Sequence, residues 1–228
     1  MMSRSIQGFV LLWAITLTVG GCASQQRPDD RWDDPTTVAE GEAAAPPRER
    51  APALGLMRVA PDVESVVYVI DASGSLIDTL PFVIHELGVA IGQLRPDQRF
   101  AALFYNDEQI VEMPPAGLVA ASDANKAAAA LWLDASGSVV VPMGGSHPVA
   151  VFARARALEP DVVIVLADRI EGVGHRSLDV DAMRNEAHKF AEADIAVHTI
   201  QWIYPDPVES FGGVPALKRL ADDTGGSY

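Results

Sequence analysis

The sequence predicts an α/β fold, a doubly wound and mostly parallel sheet with helices on both faces. Two β-branched apolar runs, residues 63–70 and the unbroken 162–166, are too apolar for strands with one wet face and suit strands covered on both sides. Segments of helical period separate successive strands, the alternation that produces a parallel sheet with crossover helices. A chain of 228 residues has room for one such domain plus accessory segments. At 49% hydrophobic and 21% charged, it can bury a core and is not a disordered polymer.

The elements follow in order. Residues 63–70 (Val-Glu-Ser-Val-Val-Tyr-Val-Ile) end in Asp71 and should form the central strand. After a Ser-Gly-Ser turn, residues 79–94 repeat apolar side chains at helical spacing, with Pro81 suited to a first turn; Arg95-Pro96-Asp97 ends this helix. Residues 99–105 read as a second strand, joined through Asn106-Asp107 to a short third strand at 110–113, a hairpin. Ser122 and Asp123 open an alanine-rich helix to about residue 133, and 147–158 read as another helix after a glycine-containing loop. Then come a buried strand at 162–166, a charged amphipathic helix at 180–193, a strand at 195–203 and a last helix at 215–223. Gly225-Gly226-Ser227-Tyr228 has the length for the beginning of an edge strand.

Ahead of the domain, Met1-Met2-Ser3-Arg4 and the apolar run 9–19 have the layout of an export signal, residues 1–21. The run is short of the ~20 apolar residues that span a membrane as a helix. Val19-Gly20-Gly21-Cys22 resembles the lipobox of bacterial lipoproteins, which implies acylation of Cys22, the sole cysteine, and leaves no disulfide within the chain. Several acyl chains hold a protein firmly where one binds marginally. Ala23 after the cysteine resembles the outer-membrane sorting pattern, which implies a lipid-anchored protein of the cell envelope facing the periplasm. Residues 22–60, rich in Pro, Ala, Asp, Glu and Arg without sustained period, read as the lipidated cysteine and a flexible tether, in which Trp32 is either a docking point for another protein or, as is commoner for a lone tryptophan, incidental. The domain is thus expected at 61–228.

With 31 acidic and 17 basic side chains, the formal charge is −14. Nucleic acid is excluded as a partner, because phosphate binding relies on clustered Lys and Arg. The acidity favours divalent cations and basic surfaces.

In doubly wound sheets, ligands gather beyond the carboxyl ends of the strands where strand order reverses. Asp71 and Asp168 both follow apolar strands directly, and Asp71-Ala72-Ser73-Gly74-Ser75 leaves the central strand as a tight turn. The result is a set of hard oxygens suited to Mg²⁺, Mn²⁺ or Ca²⁺ and poorly suited to Zn²⁺. The alternative is an Asp71 that only hydrogen-bonds the amides of its own turn. An identical second copy, Asp134-Ala135-Ser136-Gly137-Ser138, follows a helix rather than a strand and is expected to be a helix-ending turn.

These residues resemble the metal-ion-dependent adhesion site of the von Willebrand factor A family: Asp-x-Ser-x-Ser, a later threonine, then an aspartate after a further strand. The matching positions are Asp71, Ser73, Ser75, Ser146 and Asp168, and the resemblance runs over residues 63–228. It implies hydroxyl ligands from Ser73, Ser75 and Ser146, with Asp71 and Asp168 binding directly or through water. Two positions depart from the pattern. Ser146 replaces threonine and lacks the β-branch that restricts χ1, and Arg169 follows Asp168 where glycine is common.

The function implied is membrane-anchored, divalent-cation-dependent protein binding, an adhesion or assembly module without catalysis. Its partner would be an envelope or extracellular protein offering a carboxylate to the metal. A scaffold domain with an empty site is one alternative. A hydrolase using Ser146 and His147 is another, although no Gly-x-Ser-x-Gly surrounds Ser146 and His85, His175, His188 and His198 lack zinc-binding spacing. Adhesion-type members of the family carry a further C-terminal helix whose displacement couples to affinity. With the sequence stopping at Tyr228, the expectation is a simple clasp governed by cation occupancy.

Overall fold

A computed structural model describes residues 55–106, 109–168, 180–202 and 216–228. The export signal, Cys22, Trp32, most of the tether, Asp107, Arg169 and His175 lie outside them. In chain order the elements are β1 (Ser65–Asp71), α1 (Leu80–Gln93), β2 (Arg99–Tyr105), β3 (Ile110–Glu112), β4 (Val119–Ala120), α2 (Asp123–Ala135), α3 (Val149–Arg156), β5 (Val162–Ala167), α4 (Val180–Glu192), β6 (Ala196–Gln201) and α5 (Ala216–Thr224).

All seven residues of β1 are buried, as are all six of β5, which is why both could be written without a polar face. β1 pairs in parallel with β2 on one side and β5 on the other, and β5 pairs in parallel with β6. The order is β3-β2-β1-β5-β6, with β3 and β4 both antiparallel to β2. The alternation of side chains along the strands splits the core in two. Val66, Tyr68 and Ile70 of β1 meet Leu80, Val83 and Leu87 of α1 and Ala129 and Leu133 of α2 on one face. Val67 and Val69 meet Val151 and Phe152 of α3, Phe190 of α4 and Leu217 of α5 on the other. Two helices therefore cover one face and three the other, as the doubly wound reading expects.

Some boundaries differ from the sequence reading. The hairpin of β2 and β3 forms as expected, but β4, a two-residue strand opposite Arg99 and Phe100, carries too little pattern to be anticipated. α3 starts at Val149 instead of residue 147. Pro148 is its N-cap, and a residue preceding proline, here His147, is driven away from helical backbone. Ser122 caps α2 by accepting from the Asn125 amide at 3.3 Å.

Residues 225–228 form no strand, contrary to expectation. The Gly226 amide turns back to Ala221 O (2.9 Å), and the Ser227 amide donates to His198 Nδ1 (3.0 Å). With those amides committed, the backbone contact to β6 is Thr199 N–H to Ser227 O at 2.8 Å. The Val197 amide donates to Thr224 Oγ1 at 3.1 Å. A Cβ on Gly226 would lie 2.0 Å from Val197 O, so only glycine allows this close pass. No helix among the described residues is long and apolar enough to cross a membrane.

Candidate metal centre

The chain passes from β1 to β2 on one side of the sheet and later returns to the other side of β1 as β5, so strand order reverses between β1 and β5. Asp71 is the last residue of β1, and Asp168 immediately follows β5. Both are buried. The sequence places them there because each ends an apolar run that must stop inside the sheet, at the edge of its carboxyl face.

Asp71 is fixed by its own loop and by two others. Its Oδ1 accepts from the Ser73 amide at 2.7 Å, an Asx-type turn that aims the chain into a 3-10 turn at Gly74–Leu76. This turn brings the Ser73 and Ser75 hydroxyls within 3.0 Å of each other. The loop before α3 is laced to the same turn by Met143 N to Ala72 O (3.1 Å) and Gly74 N to Gly144 O (3.2 Å). Gly144 has φ +63°, a left-handed conformation that glycine adopts without cost. Ser146 Oγ then donates to Asp71 Oδ2 at 2.7 Å, across 75 residues of chain. Four of the five expected ligands, Asp71, Ser73, Ser75 and Ser146, are joined by direct hydrogen bonds. Asp168 follows β5, the parallel neighbour of β1, at the same edge of the sheet, close enough for its charge to raise the Asp71 carboxyl.

Burial pushes the Asp71 carboxyl up from 3.8 to about 6; the Asp168 charge adds to this, and hydrogen bonds from Ser146 and Ser73 partly offset it. The groups that hydrogen-bond Asp71, among them the Ser73 amide and hydroxyl and the Ser146 and Tyr105 hydroxyls, are neutral. A buried carboxylate with neutral partners and a second carboxylate beside it is the electrostatic deficit that a cation relieves. Among the described residues no three His, Cys, Asp or Glu converge. The donor set is therefore two carboxylates plus serine hydroxyls, which fits Mg²⁺, Mn²⁺ or Ca²⁺ and does not fit Zn²⁺. The turn-only alternative for Asp71 accounts for Oδ1 but not for Oδ2, which faces Ser146.

Tyr105 was not anticipated. Its hydroxyl lies 3.2 Å from Ser146 Oγ and 3.5 Å from Asp71 Oδ2. Burial first, and the Asp71 charge second, hold this phenol well above the ordinary tyrosine range, so it stays protonated. A strand-ending tyrosine in an apolar run reads as core; the signal that could have found it is the equal length of β1 and β2, whose register pairs Asp71 with Tyr105.

The second Asp-Ala-Ser-Gly-Ser copy is elsewhere and differently built. Asp134 is exposed in the last turn of α2, and Ser136 Oγ donates to Leu133 O at 2.7 Å, ending the helix as expected. His147 is exposed beside Ser146, His188 is exposed on α4, and His85 and His198 lie on α1 and β6.

No family model matches the sequence, and no curated protein matches it. Solved structures do resemble it. The N-terminal domain of TFIIH p34 has a TM-score of 0.55 at 14% identity, covering 73% of this chain and 90% of that one. The VWA domain of SpRpn10 has a TM-score of 0.49 at 13% identity over 71% and 82% of the two chains. Manganese-loaded TRAP of Plasmodium vivax has 0.44 at 16% identity over 69% and 62%. The likeness to the p34 domain is one of fold: this chain shares its α/β architecture, a mostly parallel sheet between two helical layers.

Proposed function

We propose that this domain is a divalent-cation-dependent protein-binding module, non-catalytic, held at the bacterial cell envelope by lipid on Cys22. The observation that carries the reading is the meeting of buried Asp71 with the hydroxyls of Ser73, Ser75 and Ser146 at the switch point of the sheet, where buried Asp168 ends the neighbouring strand. Those five residues would hold Mg²⁺, Mn²⁺ or Ca²⁺. When bound, the cation supplies an incompletely neutralised charge that attracts a carboxylate from a partner protein. The protein's own residues do the rest: the Ser73 amide orients Asp71, the turn at Gly74–Leu76 gathers two hydroxyls, and the loop before α3 delivers the third. Ser146 is read as a ligand and not as a nucleophile, since its hydroxyl is engaged by Asp71 and Tyr105.

The test is a Mn²⁺ titration followed by electron paramagnetic resonance, with thermal melting in parallel. Saturable binding and a raised melting temperature, both lost in Asp71→Ala and Asp168→Ala, are expected. A wild-type melting curve indifferent to millimolar Mg²⁺ and Mn²⁺ would refute the reading. Partner capture from envelope extract should be abolished by chelator and by Asp71→Ala.

A further inference from the structure

We propose that Tyr105 is a positioning residue of this centre: its phenol holds the Ser146 hydroxyl on Asp71 and supplies the restraint that the β-branch of a threonine would give. The functional consequence rests on the cation reading above, whereas the geometry does not. Ser146 Oγ, Tyr105 OH and Asp71 Oδ2 form a closed triangle of 2.7, 3.2 and 3.5 Å.

Two corners of this triangle are rigid. Asp71 and Tyr105 end paired strands in register, and the Ala72 amide donates to Tyr105 O at 2.7 Å, locking the two strand ends together. The Tyr105 ring is 1% exposed and packed in the core that α3, α4 and α5 cover, so it cannot swing. The third corner is soft. Ser146 is half-buried in a loop that reaches it through Gly144 and Gly145, and a serine hydroxyl samples three χ1 wells where threonine is restricted. A phenylalanine would fill the same space as Tyr105, so the hydroxyl is what needs explaining. Buried phenols find partners, and among the described residues its hydrogen bonds run to Ser146 and Asp71.

The test compares wild type, Tyr105→Phe, Ser146→Thr, Ser146→Ala and the doubles of Tyr105→Phe with each serine variant. Mn²⁺ affinity is read by titration, and amide hydrogen exchange of residues 143–147 is read in chelator. Tyr105→Phe is expected to weaken Mn²⁺ binding about fivefold, the effect of one hydrogen bond, and to speed exchange of that loop. Ser146→Thr should restore affinity in the Phe background while changing little in wild type. In the Ser146→Ala background, Tyr105→Phe should have no further effect. A Tyr105→Phe penalty that persists in Ser146→Ala, or that Ser146→Thr does not rescue, would overturn the proposal, as would unchanged loop exchange. If the exchange result holds and the wild type binds no Mn²⁺, the cation reading fails and the positioning role stands.

Discussion

Replacing Asp71 by asparagine separates the charge of this carboxyl from its hydrogen bonds. Asparagine keeps an oxygen for the Ser73 amide, and its NH₂ can donate to the two hydroxyls that now face Oδ2. The charge alone is lost. Its cost follows from the rise of the folded carboxyl from 3.8 to about 6; at about 1.4 kcal/mol per pH unit, burying the ionised form costs roughly 3 kcal/mol. The folded state holds an extra proton between about pH 4 and pH 6, so this group's contribution falls as pH rises through that window and is flat above it. Without metal, Asp71→Asn is expected to be more stable than wild type by up to about 3 kcal/mol near pH 7, and by about half that near pH 5. With Mg²⁺ at about a hundred times its dissociation constant, wild type should gain about 2.7 kcal/mol and the variant almost nothing, closing the gap. Urea unfolding at the two pH values, in chelator and in Mg²⁺, measures all four quantities. A wild-type-minus-variant difference that is independent of pH in chelator would refute the electrostatic argument, and so would an asparagine variant clearly less stable near pH 7.

Asp134→Ala should leave the metal response intact, because Asp134 is exposed at the end of α2; loss of the Mn²⁺-induced rise in melting temperature would show that the second copy contributes. Labelled palmitate is expected to enter wild type and not Cys22→Ser, and label in that variant would remove the acylation assignment. Phe152→Ala empties a fully buried position against Phe190, ring centroids 6.2 Å apart, and should cost about 3–5 kcal/mol by urea unfolding. Gly226→Ala forces a Cβ onto Val197 O and should lower the melting temperature and deprotect the Thr199 amide; unchanged exchange there would contradict the described contact.

The parts of the fold visible in the sequence are those whose signal is local and repeated. β1 and β5 announce themselves because a strand buried on both faces has no polar face, and a carboxylate closing such a run has few places to be other than the carboxyl edge of the sheet. The two identical Asp-Ala-Ser-Gly-Ser segments could be told apart for the same reason, since only the first follows a strand. What stayed hidden depends on contacts between distant segments. The meeting of Tyr105 with Ser146, 41 residues apart, is set by the register of β1 on β2 and by where the loop before α3 crosses the Gly74 turn. The equal length of the two strands hints at the first, and nothing in the residue spacing carries the second. The late start of α3 was, by contrast, readable: Pro148 announces it.

The closure of β6 bears on how molecules meet one another. A parallel sheet ends in a row of amides and carbonyls that another strand can join, and association by that route needs no matching surface, only an open edge. At one end of this sheet β3 offers three residues, too short a template to grow on. At the other, the amides of Val197 and Thr199 already donate to Thr224 Oγ1 and Ser227 O. Copies crowded side by side are thereby denied backbone pairing at both margins and left to interact through side chains, where recognition can be selective.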